Sequence, residues 1–320
     1  MPDHSLHFCF CSDEKYVQHL SVAIASVISC HQGESVGIHV LDSGISEKSR
    51  EKIRSQCDGQ VELEWYPVRD ELFEDFVFLQ RAYFTPSIFY RILIPRLLGH
   101  LERVLYLDVD LIVLRNLREL YNTPLHGKPL AMVADWDEEA QAQRISTERY
   151  YNSGVILFDM ATLKDFRLES KCREVMSTSA DMLLYPDQDI LNIVCRDAIH
   201  SLSYQYNTQS HADDADNENF IRANMDHVAI LHYTGRIKPW SSERASFEYF
   251  YFRYLRKTAW KHQALGIRVA KWRKKFRLLL YNEKRLPNYK YVRYLFFSKE
   301  RKETLRIYRC FGIPILQFHK

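Results

Sequence analysis

Short apolar runs and helical segments alternate over the first 68 residues of the chain. Three of the runs have the length and apolar content of strands: residues 6–10, 36–42 and 61–68. Between them, residues 17–29 carry apolar side chains at helical spacing, and residues 46–57 form a polar helical segment that Ser46 is placed to cap. Strands and helices that alternate over short connections predict a parallel, doubly wound α/β sheet.

The sequence offers no glycine-rich loop of the kind that holds phosphate groups in many α/β proteins. It has 10 glycines in 320 residues, and neither GxGxxG nor GxxxxGK followed by Ser or Thr occurs. A nucleotide-binding protein of this fold class therefore needs another device to hold the phosphates.

Two aspartates follow the most strand-like segment, residues 104–107. Asp108 and Asp110 are one residue apart, so in an extended chain they point to the same side, with Cα atoms about 6–7 Å apart. Two carboxylates this close repel each other unless a cation, a proton or hydrogen-bond donors separate them. The pair predicts a site for Mg²⁺ or Mn²⁺ that also binds a diphosphate; the alternative is a surface turn with two solvated acids.

A second candidate lies where the sequence YNSGVILFDM (151–160) enters an apolar run. Asn152 offers both donors and acceptors, and Gly154 lets a ligand approach the backbone closely. The alternative is an ordinary turn in front of a buried strand.

Two later segments also combine polar groups with apolar runs. In YPDQDILNIV (185–194), Asp187 is placed to cap a helix. In HYTGRIKPW (232–240), His232 could add a nitrogen ligand to a metal and Lys238 could meet a phosphate. Taken alone, a histidine in a strand is more often a structural residue.

In this order, the segments LDVD, YNSGV, PDQD and HYTGRIKPW resemble glycosyltransferase family 8, the retaining enzymes that use nucleotide-sugar donors. The likeness extends from about residue 6 to 240 and is greatest to bacterial galactosyltransferases and glucosyltransferases of lipooligosaccharide and lipopolysaccharide. It implies a Rossmann-like nucleotide-diphospho-sugar transferase fold of the GT-A type over residues 1–255. Residues 256–320 then form a basic, aromatic and mainly helical extension.

The resemblance implies a metal site and a donor site. Asp108, Asp110 and His232 match the metal ligands, with Mn²⁺ as the usual ion and Mg²⁺ as the other choice. The donor-binding positions are Ser12, Asp13, Tyr16, Arg91, Asp135, Asn152, Ser153, Asp187, Gln188, Gly235 and Lys238. The chain departs from the family pattern at Ser153, where close relatives often have alanine, and at Arg236 and Ile237; neither departure removes a ligand.

The implied reaction is transfer of a hexose, galactose or glucose, from a UDP-sugar to an acceptor hydroxyl of a bacterial cell-surface glycan, with retention at the anomeric carbon. Gln188, Asp135 and Lys238 are the candidate catalytic residues. Gln188 matches the group nearest the anomeric carbon, but an amide is a poor nucleophile. A covalent intermediate and front-face attack within an ion pair therefore both stay open at this point.

Charge is distributed unevenly along the chain. Residues 256–320 hold 19 Lys and Arg against three acids, whereas the whole chain has a net charge of only +3. Basic residues interleaved with Trp, Tyr and Phe predict a segment that lies on an anionic membrane surface, which suits a lipid-linked or oligosaccharide acceptor. A solvated helical subdomain is the main alternative, and RNA binding is a weaker one.

The remaining features favour an intracellular protein. The first 16 residues do not have the pattern of a signal peptide, and no apolar run reaches the roughly 18 residues of a membrane span. The seven cysteines are odd in number and scattered, which predicts reduced thiols. We therefore expect a cytoplasmic protein that is peripheral on the inner face of the cytoplasmic membrane.

Two other functions are compatible with parts of this pattern. A phosphatase of the haloacid dehalogenase kind also has a strand that ends in DxD, and the acids of residues 212–216 would then hold magnesium. This hypothesis leaves the HYTGRIKPW segment unexplained. A degenerate transferase that acts as a binding protein would have lost ligands, and none of the expected ones is missing.

Overall fold

The computed structural model describes residues 5–57, 59–69, 86–179, 183–283, 297–302, 305–310 and 313–319. The chain divides into two compact units. The first comprises residues 1–239 and 244–264, and the second comprises residues 240–243 and 265–320.

The first unit contains ten strands and ten complete helices among the described residues. The strands are β1 (Leu6–Asp13), β2 (Val36–Ser43), β3 (Val61–Pro67), β4 (Arg103–Leu107), β5 (Leu111–Val113), β6 (Leu130–Ala134), β7 (Tyr151–Asp159), β8 (Ile199–Leu202), β9 (Thr208–Gln209) and β10 (Ile230–His232). The helices are α1 (Val17–Cys30), α2 (Glu47–Arg54), α3 (Ile94–Leu97), α4 (Arg118–Tyr121), α5 (Glu138–Ile145), α6 (Met160–Phe166), α7 (Leu168–Thr178), α8 (Pro186–Val194), α9 (Ala215–Ala223) and α10 (Glu248–Leu255). Two 3₁₀ segments cover Pro86–Leu93 and Tyr204–Asn207.

Seven strands form the central sheet in the order β3-β2-β1-β4-β7-β6-β8. The half from β3 to β4 is parallel, as the alternation of strands and helices predicts, whereas β7 runs antiparallel to both β4 and β6. A small sheet of β5, β10 and β9 adjoins the region where β4 ends. The predicted α/β fold is therefore confirmed, with an antiparallel strand near its middle.

This topology brings distant segments to one edge of the sheet. Residue 107, at the carboxyl end of β4, pairs with Val155 near the start of the antiparallel β7. Ala134, the last residue of β6, pairs with Tyr151. His232, the last residue of β10, pairs with Leu111 just after the two aspartates. Polar residues that follow β4 and β6, precede the body of β7 and end β10 therefore meet.

Burial in the core accounts for the confirmed predictions of β1 and α1. Strand β1 is buried along seven of its eight residues, and ten of the 14 residues of α1 are buried. The Ser46 side chain accepts a hydrogen bond from the Ser49 N–H at the start of α2, as its capping position predicts. None of the six cysteines with described side chains forms a disulfide: Cys9, Cys11, Cys30, Cys57, Cys172 and Cys195.

One local prediction is wrong, the alternative of a turn at residues 151–154 does not apply, and the acidic stretch 212–216 has a structural role. Asp187 does not cap α8: Tyr185 is in the cap position, and Asp187 lies in the first turn with its carboxylate turned to Arg91. Residues 151–154 belong to β7 and form no turn in front of it. Asp214 caps α9 through the Asn217 N–H, so the acidic stretch 212–216 is a helix start.

The second unit contains different secondary-structure elements from those expected. Helix α11 (Gln263–Glu283) continues into it, and β11 (Phe297–Lys302), β12 (Leu305–Cys310) and β13 (Ile313–His319) form an antiparallel sheet. The prediction of a mainly helical extension did not anticipate this sheet, although residues 305–310 and 313–319 are rich in β-branched and aromatic side chains. The basic-aromatic stretch 289–297 lies almost wholly outside the described residues. None of the described helices combines the length and hydrophobicity needed to cross a bilayer.

Candidate active site

Two clefts meet at the two aspartates. The larger, of about 840 Å³, is lined mainly by polar side chains of the first unit, among them Asp135, Asn152, Gln188 and Lys238. The smaller, of about 290 Å³, lies against the end of β1. Both are lined by Ile88, Arg91, Asp108 and Asp110. The arrangement suits a ligand with two chemically different parts, one in each cleft, whose connecting group lies beside the two carboxylates.

Asp108 is fixed by three hydrogen bonds. Its backbone N–H donates to the Gly154 carbonyl at 2.8 Å, which continues the pairing of β4 with β7. Its carboxylate accepts hydrogen bonds from Arg91 Nη2 at 3.0 Å and from the Tyr106 hydroxyl. Burial raises the pKa of Asp108 and outweighs the opposing effect of Arg91.

The pKa of Asp110 is shifted in the opposite direction from that of Asp108. Burial alone would raise its pKa, but the Lys238 ammonium and His232 more than offset this, and the pKa of Asp110 lies well below its ordinary value. Lys238 Nζ is 2.7 Å from one carboxylate oxygen, and His232 Nε2 is 3.0 Å from the other. Asp110 therefore stays ionised, as a metal ligand must.

The His232 ring is oriented by Asn207. Its Nδ1 donates to the Asn207 side-chain oxygen at 2.9 Å, which leaves Nε2 to face Asp110 at 3.0 Å and Asp108 at 3.8 Å. Each of the three residues offers one atom that could bind a metal ion, and these three atoms lie within 4.8 Å of one another. Two carboxylates and an imidazole nitrogen suit a hard or borderline divalent cation such as Mn²⁺ or Mg²⁺, so the residues fit the predicted metal site.

Gly154 makes room for this cluster. A Cβ atom at this position would lie 2.2 Å from His232 Cε1 and 2.8 Å from Asp108 Oδ2, closer than any real contact. The histidine and the aspartate can converge only because the residue between them has no side chain.

Arg91 connects the metal site to the larger cleft. Its buried guanidinium donates to Asp108, to the Ser153 carbonyl at 2.7 Å and to the Ser153 hydroxyl at 3.0 Å, and it lies 3.1 Å from Asp187. The Ser153 hydroxyl in turn donates to Asp187 at 3.0 Å. The serine that departs from the family pattern thus adds a hydrogen-bonded link between Arg91 and Asp187.

Gln188 and Asp135 are held in one amide and carboxylate network. The Gln188 side-chain oxygen accepts from Asn152 Nδ2 at 3.0 Å and from the Ser153 N–H at 3.1 Å. Its Nε2 donates to Asp135 Oδ2 at 3.1 Å, and Asn152 Nδ2 also reaches that oxygen at 3.2 Å. The network fixes the orientation of the Gln188 amide, because each polar atom already has a partner.

The smaller cleft contains three of the predicted donor-binding residues, Ser12, Asp13 and Tyr16. Ser12 and Asp13 end β1, and the Tyr16 N–H donates to the Asp13 carboxylate at 2.9 Å. The Tyr16 ring is 46% exposed, which leaves a face available for stacking.

Of the predicted site residues, Gly235 alone is not among those that line the two clefts. Its N–H donates to the Ser210 carbonyl at 3.4 Å, in the loop between His232 and Lys238.

Sequence reasoning missed several residues that support the site. Asn207 joins His232 to the Asn152 side-chain oxygen, which it reaches at 2.8 Å. Asp189 is fully buried behind Gln188 and accepts hydrogen bonds from Arg144 and Tyr150. Asn207 lies in a short polar stretch without a motif, whereas the hydrophobic surroundings of Asp189 in 185–194 were a usable signal, because a carboxylate among buried positions needs partners.

Comparison with known proteins identifies the wider group. The model of glycosyl transferase family 8 matches residues 7–244. General stress protein A of Bacillus subtilis is 24% identical over 275 residues, which cover 81% of this chain and 96% of that protein. A lipopolysaccharide 1,2-glucosyltransferase of Escherichia coli K12 is 24% identical over 247 residues, which cover 73% of this chain and 72% of that protein.

The solved structures agree with the sequence relatives. Galactosyltransferase LgtC, crystallised with donor and acceptor sugar analogs, superposes with a TM-score of 0.70 at 25% identity, over 79% of this chain and 96% of that one. The bifunctional glycosyltransferase WbbM superposes with the same TM-score of 0.70 at 21% identity, a likeness of fold alone. The family match covers most of the chain and includes both clefts and the ligand cluster, so this protein belongs to glycosyltransferase family 8 and has the GT-A fold.

Proposed function

We propose that the protein is a metal-dependent, retaining hexosyltransferase that moves galactose or glucose from a UDP-sugar to a sugar of a bacterial cell-surface glycan. The observation that carries the proposal is the junction of the two clefts at Asp108, Asp110 and His232. Relatives named as a lipopolysaccharide glucosyltransferase and a galactosyltransferase support a hexose donor and a surface glycan.

The donor would lie across the junction. Tyr16 and Asp13 would hold uracil in the smaller cleft, and the sugar would lie in the larger cleft near Asp135 and Gln188. When bound by Asp108, Asp110 and His232, the divalent ion supplies positive charge to the diphosphate as a Lewis acid.

Lys238 provides the chain's own charge at the leaving group. Its ammonium lies against Asp110, beside the place where the diphosphate of the donor would sit. As the bond between the sugar and UDP breaks, negative charge grows on the leaving phosphate oxygen, and a nearby ammonium stabilises it. Arg91 keeps Asp108 and Asp187 in place through this change.

The geometry favours front-face transfer. The Gln188 oxygen already accepts two hydrogen bonds, so it is poorly placed to attack the anomeric carbon. In our proposal the bond from that carbon to the UDP oxygen breaks, a bond to the acceptor oxygen forms on the same face, and the acceptor proton passes to the leaving phosphate. The Asp135 carboxylate stabilises the positive charge that develops on the sugar.

Two segments of the chain have different roles in this proposal. We propose that residues 1–255 catalyse transfer and that the basic residues 256–320 contact an anionic membrane from the cytoplasmic side. Flotation of the full chain with anionic and neutral vesicles tests this: salt-sensitive binding to the anionic vesicles is expected, and its absence would refute the membrane role.

The proposed activity is tested by UDP release from a panel of UDP-sugars, with Mn²⁺ and with EDTA. Turnover of one UDP-hexose that stops in EDTA is expected. Asp110→Asn should abolish it with the fold retained, whereas Asp137→Asn, a carboxylate in the same cleft but outside the ligand cluster, should keep it. Near-normal activity of Asp110→Asn in Mn²⁺ would remove the metal assignment.

If no donor is hydrolysed without an acceptor, Mn²⁺-dependent binding of UDP is measured by calorimetry. Binding is expected in the unmodified protein and not in Asp110→Asn. No binding in the unmodified protein would instead favour a degenerate transferase.

A further inference from the structure

Three exposed aromatic side chains form a strip that starts at the mouth of the larger cleft. Trp136 lines that cleft and is 45% exposed, Phe220 is 41% exposed and Tyr204 is 38% exposed. The ring centroids of Trp136 and Phe220 are 6.2 Å apart, and those of Phe220 and Tyr204 are 5.3 Å apart. Polar surroundings and exposed aromatic faces are typical of a binding surface.

The aromatic strip is held in place by the elements that build the active site. The Trp136 backbone N–H donates to the Gln209 side chain at 3.0 Å, and the ring centroids of Trp136 and His211 are 6.2 Å apart. Phe220 lies on α9, and Tyr204 begins the 3₁₀ segment that ends at Asn207. A rigid surface of this kind loses little conformational entropy when it binds.

Acidic side chains border the end of the strip at the cleft. Asp135 and Asp137 flank Trp136 in the chain, and Asp213 and Asp214 act electrostatically on the neighbouring His211. These carboxylates disfavour an anionic ligand, and they can accept hydrogen bonds from hydroxyl groups.

We propose that the aromatic strip binds neutral sugar units of the acceptor glycan that lie beyond the unit that receives the hexose. The proposal rests on the proposed function of the cleft. The C–H face of a sugar ring packs on the electron-rich face of an aromatic ring, and its hydroxyls reach neighbouring acceptors. The steps between the three rings are similar to the spacing of neighbouring sugars in an oligosaccharide.

The size of the strip favours a glycan over a protein partner. At the observed exposures, three aromatic side chains of 150–250 Å² each offer roughly 250 Å² of surface. A specific protein interface needs about 800 Å² on each partner. The strip is also continuous with the cleft from which a long acceptor must emerge.

The test uses calorimetry of the full chain with UDP and Mn²⁺ present. The probes are neutral hexose disaccharides and tetrasaccharides of several linkages, each with a phosphorylated tetrasaccharide counterpart. For at least one linkage, the neutral tetrasaccharide is expected to bind at least tenfold more tightly than the disaccharide and than the phosphorylated form. Trp136→Ala and Phe220→Ala should reduce its affinity to that of the disaccharide.

Tyr249→Ala is the matched control, because Tyr249 is 57% exposed on α10 and belongs to neither the strip nor the clefts. It should leave the length dependence unchanged, and UDP affinity should be normal in all three variants. Equal affinity for short and long probes, or an unchanged length dependence in Trp136→Ala, overturns the proposal. Absence of Mn²⁺-dependent UDP binding, together with intact length-dependent binding of the glycans, would refute the proposed activity and leave the strip standing.

Discussion

At the scale of single residues, one short segment supplies both the proposed nitrogen ligand and the ammonium group beside Asp110. His232 ends β10, and Lys238 returns to the same carboxylate six residues later. The sequence predicted this pairing of roles from the HYTGRIKPW motif. It could not predict that Asn207 fixes the His232 ring, because that contact joins residues 25 positions apart without any pattern.

Lys238→Ala should slow turnover more than it weakens acceptor binding. In the proposed mechanism the ammonium faces the leaving group, so its removal raises the barrier of the chemical step. Steady-state kinetics with varied acceptor measure both effects, and Lys238→Arg should recover part of the rate because it restores the charge. A rise in acceptor KM with unchanged kcat would contradict this role.

Gly154→Ala should reduce Mn²⁺ affinity by about 100-fold, because the new methyl group displaces His232 and Asp108. Calorimetric titration of Mn²⁺ in the presence of UDP measures the change. Gly59→Ala is the control, since a Cβ there has nothing within 4 Å and should leave the affinity unchanged. Normal Mn²⁺ binding by Gly154→Ala would show that the cluster is not the metal site.

At the scale of elements, the start of α8 is fixed from within the protein. Asp189 accepts hydrogen bonds from Arg144, from the Tyr150 hydroxyl and from the N–H groups of residues 184 and 185. The carboxylate thereby sets the position of the first turn, which carries Asp187 and Gln188 to the cleft. The sequence indicated the helix but misplaced its cap, because hydrogen bonds from three separate segments determine where it begins.

Asp189→Asn should lower the free energy of unfolding by about 3 kcal/mol, because it leaves the buried donors around it without their ionised partner. It should also lower kcat by displacing Gln188. Urea denaturation and transfer rates measure the two effects. Glu138→Gln, which removes an ion pair of Arg149 at the surface, should change stability by less than about 1 kcal/mol. Equal effects of the two variants would remove the positioning role of Asp189.

Helices α1 and α10 are joined by a buried histidine. Gln18 Nε2 donates to the Tyr251 hydroxyl at 3.0 Å, and that hydroxyl lies 2.8 Å from His19 Nδ1. Burial is the main cause that lowers the pKa of His19 to about 3, against an opposing effect of Asp110 and a supporting one of Lys238. The neutral ring is therefore part of the folded state at all moderate pH values.

His19 should make the protein less stable in mild acid. Its folded pKa is below the unfolded value near 6.5, so the stability it contributes is present above pH 6.5 and is lost as the pH falls from there towards 3. Between pH 7.5 and 5 the loss from this group is about 2 kcal/mol. Urea denaturation at both values should show a smaller loss in His19→Gln by about that amount. The same loss in both proteins would contradict the shift.

At the scale of the whole molecule, the sequence predicted more of the sheet than of its surroundings. The strands of the parallel half follow from local apolar runs, and their connections leave few alternatives. The antiparallel β7, the small sheet of β5, β10 and β9, and the sheet formed by β11–β13 depend on pairings that a local pattern does not encode. The site residues were recognised by motif, whereas the aromatic strip became visible only when Trp136, Phe220 and Tyr204 were brought together.

The sequence positions of Asp108, Asp110 and His232 also indicate the order in which the chain folds. Asp110 meets His232 across 122 positions and Lys238 across 128 positions. Contacts between such distant residues form late, and during synthesis the N-terminal part of a chain folds first. A nascent chain therefore has the end of β1, which is proposed to bind the base, and both aspartates long before it has His232 and Lys238. Metal-dependent UDP binding would thus appear only on chains completed through Lys238, which makes it a marker of folding of the first unit up to that residue.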